Sequence, residues 1–179
     1  YTVNADHAKL YGTRTEFSLS AFSKFDYDQT AADWRNYWEK SETSAANILQ
    51  ADGLNVRTKR EFYADGGSIR LTDSTLSAGG QTLAAYRTET GDGDTDVGNR
   101  AHEHKTMGAD NIVYLENSKI LTPENAEYNT TRIHGGTVTM KGTEVDRGPF
   151  TEIYAGTSHD RVYSGHGDQV IKVEVTKVG

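Results

Sequence analysis

Apolar and polar positions alternate over short stretches that recur along the chain. In Gly66-Gly67-Ser68-Ile69-Arg70-Leu71-Thr72-Asp73-Ser74-Thr75-Leu76-Ser77-Ala78-Gly79-Gly80, Ile69 and Leu71 point one way and Arg70 and Thr72 the other. Asp73-Ser74 supplies a bend through local side-chain hydrogen bonds, after which Leu76 and Ala78 return to the apolar side. The design repeats in Gly135 to Val145, with Val138 and Met140 in place of Ile69 and Leu71 and Val145 in place of Leu76. A third copy runs from Val113 to Ile120, where Asn117-Ser118 answers Asp73-Ser74. Leu49-Gln50-Ala51-Asp52-Gly53 matches the later half, Leu76 to Gly80. Allowing for loop insertions, the copies are spaced by about 22 to 27 residues, the size of one solenoid turn.

These recurrences predict an all-β chain, a right-handed parallel β-helix (β-solenoid). The alternative is a β-sandwich fibre subunit whose hairpins resemble one another. Short strands are expected at 47–56, 61–64, 68–71, 75–78, 82–86, 150–154, 161–163 and 170–178. Tyr11, Thr13, Thr15, Phe17, Leu19 and Ala21 share one face of an N-terminal strand or pair of strands. Over residues 30–42 the spacing of Ala31, Trp34, Tyr37, Trp38 and Ser41 predicts a short aromatic helix or plug, with extended chain as the rival reading. The expected organisation is N-terminal strands and aromatic plug at 1–43 and a solenoid domain at 44–179. Loop insertions are expected at 89–110 and 122–132.

Composition narrows the function. The 179 residues are 35% hydrophobic, enough for a continuous but thin core, and 18 glycines against 2 prolines favour regular turns over a disordered chain. A net charge of -7 without a basic run argues against nucleic acid as a partner. The absence of cysteine removes disulfides, zinc–thiolate sites and thiol catalysis. No run approaches the roughly 20 apolar residues of a membrane helix. Tyr1 to Asp6 do not read as a signal peptide, so the expectation is that one has been removed or that this is an internal piece of a longer chain.

Candidate chemistry is sparse. Asp92, Asp94 and Asp96 resemble half of a calcium loop; Glu103 falls where such a loop wants its last carboxylate, but Val97 stands where it wants glycine. Calcium is therefore a candidate cofactor, against a solvated acidic turn. His102-Glu103-His104 places two imidazoles on one side of a strand, with no third ligand at a suitable spacing. His159-Asp160 and His166-Gly167-Asp168 offer acid–base groups without an adjacent nucleophile. Arg70, Tyr114 and Thr139 occupy equivalent outward positions and form no acidic cluster of the kind a polysaccharide-cleaving β-helix needs. Asn129-Thr130-Thr131 is a glycosylation sequon too short to carry weight. No enzyme activity is expected.

The run from Ser44 to Val56, followed by Ser68 to Gly80 and Gly136 to Thr143, resembles the filamentous haemagglutinin repeats of two-partner-secreted adhesins and contact-dependent inhibition proteins. The resemblance is close over 44–88, looser over 111–156 and poor over the first 40 residues. It implies a segment of a long secreted fibre at the bacterial cell surface, without a catalytic site, that serves cell adhesion and virulence. Its partners would be a receptor or glycan on a host or neighbouring cell, and an outer-membrane transporter during secretion. Two alternatives accompany it: a filament or pilus subunit joined through its terminal strands, and a β-helical carbohydrate-active enzyme or phage tailspike.

Overall fold

A computed structural model of the protein describes residues 2–21, 24–27, 39–42, 44–90, 103–126, 128–146, 150–155, 163–166, 170–174 and 177–178. The chain climbs in coils, the first five each contributing one strand to each of three sheets and the sixth, among the described residues, a strand to two of them. The first sheet stacks β1 (Thr2–Asn4), β6 (Ile48–Asp52), β9 (Ser68–Thr72), β14 (Ile112–Glu116), β17 (Thr137–Lys141) and β21 (Val170–Glu174) in that order. The second stacks β2 (Lys9–Tyr11), β7 (Asn55–Arg57), β10 (Thr75–Ser77), β15 (Lys119–Leu121), β18 (Glu144–Val145) and β22 (Lys177–Val178). The third stacks β3 (Phe17–Ala21), β8 (Glu61–Gly66), β11 (Gly80–Ala85), β16 (Thr130–Gly135) and β19 (Phe150–Ala155). Every pairing in these three sheets is parallel. This is a parallel β-solenoid; a sandwich of antiparallel hairpins is excluded.

The core follows from the alternation. Leu49, Ile69, Val113 and Val138 are successive register partners and all are buried. Ala51, Leu71, Leu115 and Met140 form a second inward column, and Val56, Leu76, Ile120 and Val145 a third. Each large aliphatic side chain so buried contributes about 1.5–3 kcal/mol. A slim axis lined by three short strands per coil meets that need with few apolar residues.

Corners are built from residues that accept unusual backbone geometry. Between the first and second sheets each of the first five coils has one residue in the left-handed region: His7 (φ 56°), Gly53 (67°), Asp73 (47°), Asn117 (47°) and Gly142 (57°). Only Gly, Asn and Asp visit this region at low cost, and the sequence supplies them in four of the five coils. The next position carries a buried hydroxyl in three coils, Ser74, Ser118 and Thr143. Ser74 Oγ donates to the Thr72 carbonyl (2.8 Å) and accepts from the Leu54 N–H (3.1 Å). Ser118 Oγ repeats this, donating to Glu116 O (2.9 Å) and accepting from Ser74 N–H (3.2 Å). Corner backbone groups are thereby satisfied away from water.

Several expectations are corrected. Leu49 to Gly53 does not match Leu76 to Gly80: Leu49 partners Ile69, and Leu76 partners Val56. An apolar-x-apolar pair followed by glycine occurs at more than one corner, and a period of two cannot tell them apart. The shortest coil is 20 residues, from Ile48 to its partner Ser68; Ile112 to Thr137 takes 25, and the other coils are longer because they carry insertions. The runs 47–56 and 170–178 each break into two strands belonging to different sheets. The first 21 residues already build a coil, since β1, β2 and β3 pair in parallel with β6, β7 and β8. The aromatic helix or plug with Trp34, Tyr37 and Trp38 lies outside the described residues, apart from Glu39–Glu42, which is a strand.

Candidate binding surfaces

Two features stand out on the solenoid: a corner from which the insertions leave, and the outer face of the first sheet. The insertions follow the third-sheet strand of alternate coils. After β3 comes the antiparallel hairpin of β4 (Lys24–Tyr27) and β5 (Glu39–Glu42). After β11 comes the antiparallel hairpin of β12 (Arg87–Thr90) and β13 (Glu103–Gly108). After β19 comes β20 (Tyr163–His166), which pairs in parallel with β13, and β12 lies beside β5. The loop expected at 89–110 is thus partly a β-hairpin. Its root packs on the solenoid, where Met107, Tyr86 and Ala84 form a small second core on the outside of the third sheet.

The two coils between them pass from third to first sheet directly, through Gly66-Gly67 and Gly135-Gly136. Where a hairpin returns, a tight turn takes the place of the glycines. Ser44–Asn47 closes with Asn47 N–H donating to Ser44 O (2.8 Å), and Gly108–Asn111 with Asn111 N–H donating to Gly108 O (2.9 Å). In both turns the asparagine Oδ1 accepts the first residue's N–H, at 2.8 and 2.9 Å. Asn111 Nδ2 donates to Gly67 O (2.8 Å). Ser68 Oγ and Thr137 Oγ1 brace these turns by donating to Ala45 O (3.2 Å) and Ala109 O (2.7 Å). At this corner the repeating unit is therefore two coils, one with an insertion and one without; the shorter insertion expected at 122–132 lies at another corner, between β15 and β16.

The outer face of the first sheet presents two polar lanes. One runs Asn4, Gln50, Arg70, Tyr114, Thr139, all successive register partners; the expected equivalence of Arg70, Tyr114 and Thr139 is observed. The other includes Asp52, Thr72, Glu116 and Lys141. Arg70 lies over the Tyr114 ring, 5.0 Å from its centroid. Tyr114 OH donates to Glu116 Oε2 (2.7 Å), and Lys141 Nζ is 3.5 Å from Glu116 Oε1. The Tyr114 hydroxyl, then Lys141, hold the Glu116 carboxyl below the usual range; the same hydrogen bond raises Tyr114. Toward the N-terminal end, Asn4 Nδ2 donates to Asp6 Oδ2 (2.9 Å) and the Asp52 N–H to Asp6 Oδ1 (2.8 Å). These bonds lower the Asp6 pKa. Thr72 Oγ1 donates to Asp52 Oδ1 (3.1 Å). Asp6, Gln50, Ala51, Asp52, Arg70 and Thr72 line an open groove of about 180 Å³.

On the third sheet's outer face, Asp65 accepts from Ser20 Oγ and from Tyr86 OH (3.0 Å). His134, 6% exposed, meets Tyr154 edge-on at 5.4 Å and has Nε2 3.7 Å from Glu152, whose Oε2 is also 3.4 Å from Arg132 Nε. Burial, a hydrogen bond with Glu61 and the charges of Glu61 and Glu16 push Tyr63 up to about 12.

Asp92, Asp94, Asp96 and His102, in the chain between β12 and β13, lie outside the described residues, and so do His159, Asp160, Gly167 and Asp168. Glu103 and His104 open β13, with His104 the partner of Glu89, and His166 ends β20 as the partner of Gly108. Among the described residues no three His, Asp or Glu side chains are grouped to hold a metal ion, and no helix is long and apolar enough to cross a membrane. The sequence pattern does not reveal Gln50 and Asp52 as neighbours of Arg70, because the likeness of Leu49–Gly53 to Leu76–Gly80 points to the wrong corner; the 20-residue offset from Ile48 to Ser68 brings them together. In comparisons with known proteins, no family model, curated protein or solved structure matches this chain.

Proposed function

We propose that this chain is a structural and adhesive segment of a secreted bacterial surface fibre, and that its insertions are the attachment elements. The observation that carries this reading is the alternation at one corner: insertions leave coils one, three and five, while the coils between pass through glycine pairs. Successive insertions are thus rooted two coils apart, about 10 Å along the axis. A rigid rod with loops on one side suits attachment to a receptor or glycan on another cell, because the rod supplies reach and the loops supply recognition. The likeness of residues 44–88 to filamentous haemagglutinin repeats points to the same class, with export through an outer-membrane transporter.

The chain supplies its own control. Deleting residues 22–46, with Ala21→Gly and Asn47→Gly, joins β3 to β6 through a glycine pair like that of Gly66-Gly67. Beads carrying the whole chain should adhere to epithelial or bacterial cells, and beads carrying the shortened chain should lose most of that adhesion while circular dichroism stays β-rich. Equal adhesion by both, or none by the whole chain on any cell surface tested, would overturn the proposal.

A further inference from the structure

We infer that the groove on the first sheet's outer face binds a neutral saccharide, lying along the solenoid axis. This goes beyond the attachment by loops proposed above and does not depend on it.

The groove pairs donors and acceptors that the protein itself leaves available. Gln50 and Arg70 are register partners on adjacent coils, and among the described residues neither side chain makes a hydrogen bond or ion pair. Arg70 rests over the Tyr114 ring, 5.0 Å from its centroid, a contact through the guanidinium face that leaves its N–H donors at the edge open to a ligand. Asp6 and Asp52 are already oriented, Asp6 by Asn4 and the Asp52 N–H, Asp52 by Thr72. A carboxylate accepts more hydrogen bonds than these supply. The wall therefore offers a donor-only guanidinium, two acceptor-only carboxylates, an amide that does both and a hydroxyl, all within one groove.

Charge selects among ligands. An anionic group drawn to Arg70 would sit beside the carboxylates of Asp6 and Asp52, on a chain of net charge -7. A cation would meet Arg70. A neutral polyol suffers neither repulsion, and each vicinal hydroxyl pair can donate to a carboxylate while accepting from the guanidinium or amide. The coil spacing of about 4.8 Å is close to the length of one sugar ring, so consecutive rings meet the side chains of consecutive coils.

The test uses the whole chain with cellohexaose, maltohexaose and xylohexaose as neutral probes and oligogalacturonate as the anionic one, measured by titration calorimetry. At least one neutral hexaose should bind. Arg70→Ala and Gln50→Ala should each weaken it about tenfold or more, as expected for losing hydrogen bonds to charged or amide groups. Both positions are solvent-facing, and an unchanged urea midpoint would exclude unfolding as the cause. The chain lacking residues 22–46 should bind the hexaose as the whole chain does, so loss of cell adhesion and loss of sugar binding separate. Absence of binding by every neutral hexaose, tighter binding of oligogalacturonate, or binding indifferent to both substitutions would overturn the assignment.

Discussion

The carbonyl oxygen of Ser44 occupies the space in which Gly67 would carry a side chain, and the carbonyl of Gly108 stands in the same way against Gly136. Two return turns, 64 residues apart, therefore rest on two glycines in the coil that follows each. A methyl group at either site would overlap backbone oxygen, which cannot rotate away. Gly67→Ala and Gly136→Ala should each lower the free energy of unfolding by about 3 kcal/mol, the upper part of the range for overpacking. Gly80→Ala is the comparison: its methyl would meet the Glu61 side chain at 3.0 Å, which can swing aside. Urea unfolding of the three variants should leave Gly80→Ala close to the parent.

The column of left-handed residues predicts a graded response. Asn117 has φ 47° and its Oδ1 points at the next corner, where a methyl on Gly142 would approach to 2.7 Å. Asn117→Gly should be nearly neutral. Asn117→Val should cost about 1–3 kcal/mol, because a β-branched residue tolerates this backbone poorly. Gly142→Ala should cost more than Asn117→Gly, from strain and crowding together. Chemical denaturation midpoints rank the three.

Much of the ladder is legible in the sequence because side-chain type and corner type recur together. Ile69, Val113 and Val138 stack as their pattern implies, and so do Leu76 and Val145, with Asp73 and Asn117 both left-handed at the corner. The N-terminal coil was obscured because Thr13 and Thr15 continue the alternation of Phe17 and Leu19, although Gly12 to Glu16 form a connection between two sheets. The return turns Ser44–Asn47 and Gly108–Asn111 share only alanine and asparagine and replace the glycine pair that marks the other coils. The groove could not be read until the 20-residue coil set Gln50 beside Arg70. Residues whose partners lie on another coil are invisible to local periodicity.

Tyr63 predicts how the protein responds to alkali. Its hydroxyl is raised from 10.0 to about 12 by burial, then by the hydrogen bond with Glu61 and neighbouring negative charge. A phenol whose folded pKa exceeds its unfolded one stays protonated longer in the folded state. Its contribution is intact below about pH 10 and is lost as the pH rises through about 12. Urea midpoints measured across this window should fall with pH, and Tyr63→Phe, which cannot ionise, should flatten the fall. An equal decline in both would assign it to other groups.

Glu116 predicts the opposite limb. Its carboxyl is held below the ordinary 4.5 mainly by the Tyr114 hydroxyl and then by Lys141. A lowered folded pKa means that the ionised form is favoured in the native state. The contribution is present above the unfolded value and disappears as the pH falls through the folded one. The site is exposed, so the effect on global unfolding is small and screened by salt; the sensitive measurement is the Glu116 side-chain carboxyl shift followed by NMR as the pH is lowered. Tyr114→Phe should move the midpoint up toward 4.5 further than Lys141→Met does, because the hydrogen bond outweighs the ion pair. The reverse order would mean that charge, rather than the hydroxyl at 2.7 Å, sets this carboxylate.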